Sequence, residues 1–249
     1  MVTVLAGGLA FVLLVLFRYG KPTPPTAGRR RPGPNLLPAP QFPQAAAARR
    51  SVPWWGIVTA AVAPAVLVAG STIAALWQPA SFNSLAATVS ALAEPGAADR
   101  WMMTAAFAIA GACEAVTALA LRPAATAGRL ILAAAGVAGV LVAANPEHAG
   151  GSLPHAVWAG ASFVALVTWP VAARQRGPSV PWGLRPAVSV AATGVLLALL
   201  GWFLAELVTE GAITGVAERA MGVAQAGWPL AVVLSCLLPG PASRDWASG

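Results

Sequence analysis

A single carboxyl stands where water cannot reach. Glu114 lies thirteen residues into the apolar stretch that begins at Trp101, in a chain of 249 residues. An ionised carboxylate at the centre of a bilayer costs at least ~2.5 kcal/mol even on insertion scales, so such a residue turns toward a bundle interior or a cavity. There it serves as a proton or ion site or as a ligand contact. The plainer account is a protonated acid hydrogen-bonded across helices. Its helical neighbours, Phe107, Ala110, Gly111, Thr117, Ala118 and Leu121, are mostly small or polar. That places Glu114 at a close helix contact. A second grouping is Ser90, Asp99 and His155: a hydroxyl, an acid and a base, the types that nucleophilic hydrolysis needs. Nothing in their spacing requires them to meet, and no nucleophile-elbow glycines surround Ser90. A third is Glu206 with Glu210, four residues apart. On one helix face they would repel, raising one pKa, recruiting a cation or suiting acid–base work.

Two arginines belong with these acids. Ala98-Asp99-Arg100-Trp101-Met102 and Ala217-Glu218-Arg219-Ala220-Met221 are a short repeated pattern, each at the opening of an apolar stretch. An acid before the first turn complements the helix dipole, and Arg reaches the interface. The pattern is not the inverted repeat of a transporter. Arg100 and Arg219 are expected to pair with acids such as Glu206 and Glu210 or to hold an anionic ligand. The sequence thus predicts one ligand pocket at which Arg100, His155, Glu206 and Arg219 converge, with Glu114 deeper in the bundle. His148, His155 and Glu147 share a loop, but no His pair has i,i+4 spacing and Cys is absent nearby, so no metal site is expected. No cofactor motif is present. His155 is expected in a first helical turn capped by Ser152.

The elements that must position these residues follow from composition. Hydrophobic residues make up 58% of the chain and charged residues 9%, against about 25% charged in an average soluble domain. The bilayer is therefore the solvent and the first partner. Six apolar runs, Trp54–Trp77, Trp101–Leu121, Ala127–Ala144, His155–Val171, Pro186–Val208 and Ala220–Leu238, are long enough to cross about 30 Å of hydrocarbon as helices. Trp54, Trp55, Trp77, Trp101, Trp182 and Trp202 are placed at the interfaces. Residues 1–17 contain a shorter run, Val2–Phe17, expected to be an anchor helix without the basic leader of a signal peptide. Residues 18–53 read as a disordered Pro- and Arg-rich linker, residues 54–238 as the six-helix domain and residues 239–249 as a tail. Ser81–Ala93 is expected to be an interfacial or re-entrant helix. Cys113 and Cys236 lie in apolar runs and read as free thiols.

Charge position sets the sidedness. The net charge of +7 does not form a patch interleaved with aromatics, which argues against nucleic acid as a partner. Thirteen of the fifteen basic residues fall in the linker, the tail and alternate gaps; only Arg100 and Arg219 fall on the other side. The positive-inside rule puts the thirteen in the cytoplasm, with the N-terminus outside and the C-terminus inside across seven crossings. The polar groups then gather at the extracytoplasmic face. Fourteen of the fifteen basic residues are Arg and Ala is abundant, a codon bias of GC-rich bacteria, so the expected location is a bacterial inner membrane.

Thr88-Val89-Ser90-Ala91-Leu92, Asp99-Arg100-Trp101-Met102, Gly128-Arg129, Pro146 with His155, Trp169-Pro170, Glu218-Arg219 and Trp228-Pro229 together resemble the bacterial and archaeal six-helix membrane family known as domain of unknown function 998. The resemblance covers about Trp54–Leu238 and leaves out the first 53 residues. It implies a six-helix integral membrane domain, with no activity, cofactor or site residue to carry over. From the sequence, then, this is an all-α, polytopic integral membrane bundle with one additional N-terminal anchor. Its expected role is non-enzymatic, binding a lipid or small molecule at the outer face. One alternative is a membrane-embedded hydrolase using Ser90, Asp99 and His155. Another is a proton-coupled transporter using Glu114, weakened because Pro64 is read as the interior proline of the core helices and broken helix pairs are not evident. Oligomeric state is not legible.

Overall fold

The computed structural model describes residues 52–148 and 150–238; the expected anchor helix, nearly all of the linker and the tail lie outside the described residues. Six helices follow in order: α1 (Trp54–Leu76), α2 (Trp101–Ala120), α3 (Thr126–Ala144), α4 (Leu153–Ala173), α5 (Pro186–Val208) and α6 (Thr214–Leu237). Each is long and apolar enough to cross a membrane, and the protein is a multi-pass membrane protein. Residues such as Leu130 and Leu197 are 66% and 58% exposed. Lipid tails, not water, are the medium that accepts them.

Consecutive helices pack side by side from α1 to α6, and α6 closes the ring against α1. Because lipid is as apolar as leucine, the driving force for this packing is close approach of small residues. α2 and α3 show how close. A Cβ added to Gly111 would lie 2.5 Å from the Gly136 carbonyl oxygen, and one added to Gly136 would lie 2.4 Å from that of Gly111. Polar links supplement the packing: Thr59 and Thr117 share a hydrogen bond of 2.8 Å between α1 and α2, and the Ser162 hydroxyl donates to the Ala135 carbonyl between α4 and α3. α6 is the most buried span and α1 the least.

The structure revises several expectations. Prolines sit inside three helices rather than one: Pro64 in α1, Pro170 in α4 and Pro229 in α6. α6 starts six residues before the expected Ala220, because Ile213–Ala217 already form its first turn with Ala217 N–H donating to the Ile213 carbonyl. Residues 81–93 do not form a helix that lies along the interface. They form turns and a short 3₁₀ segment, Ser90–Ala93, whose Leu92 and Ala93 are buried with Ala74, Met103 and Ala106. Trp54 and Trp101 are largely exposed as a belt requires, but Trp182 is only 7% exposed and packs edge-on against Trp228 at 6.2 Å.

At the end of the bundle where α2 gives way to α3 and α4 to α5, arginines cap helices. Arg129 donates to the carbonyls of Ala118 and Leu119 at the C-terminus of α2, and Arg174 donates to Val171 at the C-terminus of α4. These cations meet the negative ends of helix dipoles.

Candidate functional site

The loop between α1 and α2 folds down over the opposite end of the bundle and is held there by polar ties. Gln78 closes its base by donating to Ala98 O and accepting from Ala98 N–H. Val216 N–H donates to Leu85 O, and Gly215 permits that approach, since a Cβ there would lie 2.1 Å from Ala87 O. Arg219 Nη1 donates to Ser84 O at 2.9 Å and Ala87 O at 3.1 Å, as well as to Gly215 O in its own helix. Glu218, buried, accepts the Val89 N–H on Oε2. The Thr88 hydroxyl accepts the Ala91 N–H and caps the 3₁₀ segment.

These ties deliver Ser90 to His155. The Ser90 Oγ lies 3.1 Å from His155 Nε2, and His155 Nδ1 lies 2.9 Å from the carbonyl oxygen of Asn145 at the end of α3. Ser152 caps α4 by accepting the His155 N–H, as the sequence predicts. A backbone carbonyl can only accept a hydrogen bond, so Nδ1 carries the proton in the neutral ring. Nε2 is then a lone pair, and the Ser90 hydroxyl is its donor. Ser90 and His155 are both buried.

Ser90 also lines a cavity of about 190 Å³. By the same measure a single water needs only ~10–15 Å³. Every spanning helix except α5 contributes to the wall, and most of it is apolar, including Leu67, Phe107, Val142, Phe163, Leu166 and Met221. It runs from the loop residues Ser84 and Leu85 down to Glu114, a residue ~20 Å along α2 from Trp101 at 1.5 Å per residue. Glu114 is buried, and its carboxyl makes no hydrogen bond among the described residues. Two further polar atoms on the cavity residues lack a partner among the described residues: Arg219 Nη2 and Gln225 Oε1. Gln225 is 1% exposed, and its Nε2 is engaged with Phe163 O at 3.4 Å.

The sequence-derived residues separate here. Glu114 and Arg219 line the cavity and His155 reaches it through Ser90, whereas Arg100 and Glu206 are not on its wall. Arg100 instead stacks 4.1 Å over the Trp101 ring, a cation–π contact. Glu206 closes the α5–α6 turn, its carboxyl accepting the Ile213 N–H and its carbonyl the Thr214 hydroxyl. Glu206 and Glu210 do not share a helix face, because α5 ends at Val208 and Glu210 has a left-handed backbone, φ 50°. Asp99, also left-handed at φ 48°, makes no side-chain hydrogen bond among the described residues and does not support His155. In its place stands the Asn145 carbonyl. Burial pushes the Glu147 carboxyl above its usual range, and the Glu94 carboxylate adds to that rise. Among the described residues no three His, Cys, Asp or Glu side chains gather to hold a metal ion.

Glu218 is the site residue that sequence reasoning missed. The signal was present in the repeated acid–Arg pattern, but the acid reads as a cap only if α6 begins after it. With α6 beginning at Thr214, Glu218 falls in the second turn, facing the loop.

The chain belongs to the family described as Protein of unknown function (DUF998), whose model matches residues 43–235. No curated protein and no solved structure matches it.

Proposed function

We propose that this protein binds an amphiphile, a lipid or small molecule with an apolar body and an acidic or carbonyl-bearing head, in the cavity between α1, α2, α3, α4 and α6. The supporting observation is the pairing of an apolar wall with unsatisfied polar atoms: Arg219 Nη2 and Gln225 Oε1 have no partner among the described residues, although leaving a buried polar group unpaired costs ~1–3 kcal/mol. A ligand head that accepts from Arg219 recovers the Arg219 share of that cost, a hydroxyl or water that donates to Gln225 Oε1 recovers the rest, and the apolar body occupies the wall of leucine, valine and phenylalanine. Glu114 and Gln225 line the deeper part and favour an occupant with a second polar group, or water. Arg100 and Glu206 have no part in this reading.

The bundle end that carries Ser90 is assigned to the extracytoplasmic side of a bacterial inner membrane. The arginine bias supports it, and so does the opposite end, where Arg122, Arg129, Arg174, Arg176 and Arg185 cluster. In cells expressing a variant whose only cysteine is Asn83→Cys, an impermeant maleimide is expected to label the intact cell surface, while Arg122→Cys stays unlabelled. The opposite pattern overturns the sidedness.

Binding is tested on the purified full-length protein in detergent with a fluorescent fatty-acid probe. Gly222 lines the cavity and a Cβ there would meet nothing within 4 Å, so Gly222→Phe adds bulk without a backbone clash. Gly222→Phe and Arg219→Gln are each expected to weaken saturable binding about tenfold, ~1.4 kcal/mol. Probe uptake that neither substitution changes, or no saturable uptake at all, refutes the proposal.

A further inference from the structure

We infer that Ser90 is an acyl-transfer nucleophile with His155 as its general base, so that the cavity cleaves an acyl ester of its amphiphile rather than merely storing it; this rests on the amphiphile reading above. Three observations converge. The Ser90 Oγ stands 3.1 Å from His155 Nε2, within the reach that a base needs of the proton it removes. The Asn145 carbonyl, 2.9 Å from Nδ1, selects the one neutral tautomer in which Nε2 accepts. Ser90 lines the cavity with its hydroxyl already directed at the base.

The rest of the site fits acyl transfer. Glu218 holds the backbone N–H of Val89, next to Ser90, which fixes the turn that presents the hydroxyl. Arg219 is anchored to Ser84 O and Ala87 O on the same loop and has Nη2 free of any partner among the described residues. It is the cation of the cavity, and a tetrahedral oxyanion gains most from a donor already fixed in place.

In the first half-reaction the Ser90 Oγ bonds to the ester carbonyl carbon as its proton passes to His155 Nε2. The carbon–oxygen bond to the alcohol then breaks, and the alcohol leaves with the proton from Nε2. In the second, a water molecule gives its proton to Nε2 and its oxygen to the acyl carbon. The Ser90–acyl bond breaks, the proton returns to Ser90 and a carboxylic acid is released. Water is the co-reactant, and there is no change of oxidation state.

The test uses the full-length protein in detergent and a long-chain alkyl fluorophosphonate, which bonds covalently to activated serines. Mass spectrometry of the labelled chain is expected to place the adduct on Ser90. Ser90→Ala is expected to remove it, and His155→Gln, which keeps a side chain able to hydrogen bond, to slow labelling by at least ~100-fold. An unlabelled Ser90 in the natural sequence overturns the inference, as does a His155→Gln variant that labels at the unaltered rate. Fatty-acid probe binding measured on the same preparation separates the two proposals. Binding that persists and falls with Gly222→Phe, beside an inert Ser90, removes catalysis alone; absence of both removes the amphiphile reading with it.

Discussion

Replacing Glu218 tests how the loop that carries Ser90 is held. Its carboxyl is the acceptor for a buried backbone donor, the N–H of Val89. Leucine has a similar volume and no acceptor, so Glu218→Leu strands that donor. A stranded donor costs ~1–3 kcal/mol. Part of this is returned, because Leu also removes the cost of burying a carboxyl. Glu218→Gln separates the two contributions. It is as neutral as Leu, and its amide oxygen can accept the same N–H. The comparison of interest is therefore Leu against Gln, in which the burial cost of a charge cancels. Denaturant unfolding in mixed micelles is expected to find Leu less stable than Gln by at least ~1 kcal/mol. Hydrogen exchange at Val89 is expected to quicken in Leu and stay near its original rate in Gln. Equal stabilities for Leu and Gln, within ~0.5 kcal/mol, together with unchanged exchange at Val89, would refute the claim that Glu218 holds the loop.

Gly136→Leu drives a side chain into the Gly111 backbone, where even a Cβ comes within 2.4 Å of a carbonyl oxygen; the expected loss is ~1–3 kcal/mol or more. Gly160→Ala, whose Cβ meets nothing within 4 Å, is the control, and a thermal midpoint that falls equally in both would contradict the packing account. Glu147 predicts a pH effect. Its folded-state pKa is raised, so the folded protein binds this proton at a higher pH than the unfolded chain does. Its contribution to stability is fully present below the unfolded carboxyl value of ~4.3 and is lost as pH rises through the folded value. Glu147→Gln is expected to flatten the fall in thermal midpoint that sets in above about pH 4; an unaltered slope would show that another group titrates there.

The six spans were legible because a bilayer admits only helices and closed barrels, and these apolar runs are longer than the ~9–11 residues of a barrel strand; neither point depends on distant residues. What needed tertiary knowledge was less legible. Trp182 carries the amphipathic character of an interfacial residue, yet Trp228 offers its ring a face and draws it inside. Only Pro64 is read as interior from the sequence, but Pro170, at the end of its run, and Pro229, in the middle of its own, also lie within helices. Ser90 and His155 are 65 residues apart on different elements, and no periodicity links a loop to a helix at that distance. The residue types were visible, whereas their meeting depended on the ties from α6 to the loop.

Those ties also resolve why an arginine stands at the bundle end that otherwise avoids arginine. An Arg that merely reached the interface would be replaceable, and Arg100, lying on Trp101, is of that kind. Arg219 is different, because three backbone carbonyls share one of its nitrogens while the other remains unpartnered among the described residues. A guanidinium used only to fasten a loop would have little need to leave a buried donor over. Lysine could supply the charge and reach one or two of the carbonyls, but its compact ammonium cannot hold the loop from one nitrogen and keep a second donor in a fixed place beside it. The planar fork is what lets a single side chain serve both, and it ties the position of the loop to whatever occupies the cavity.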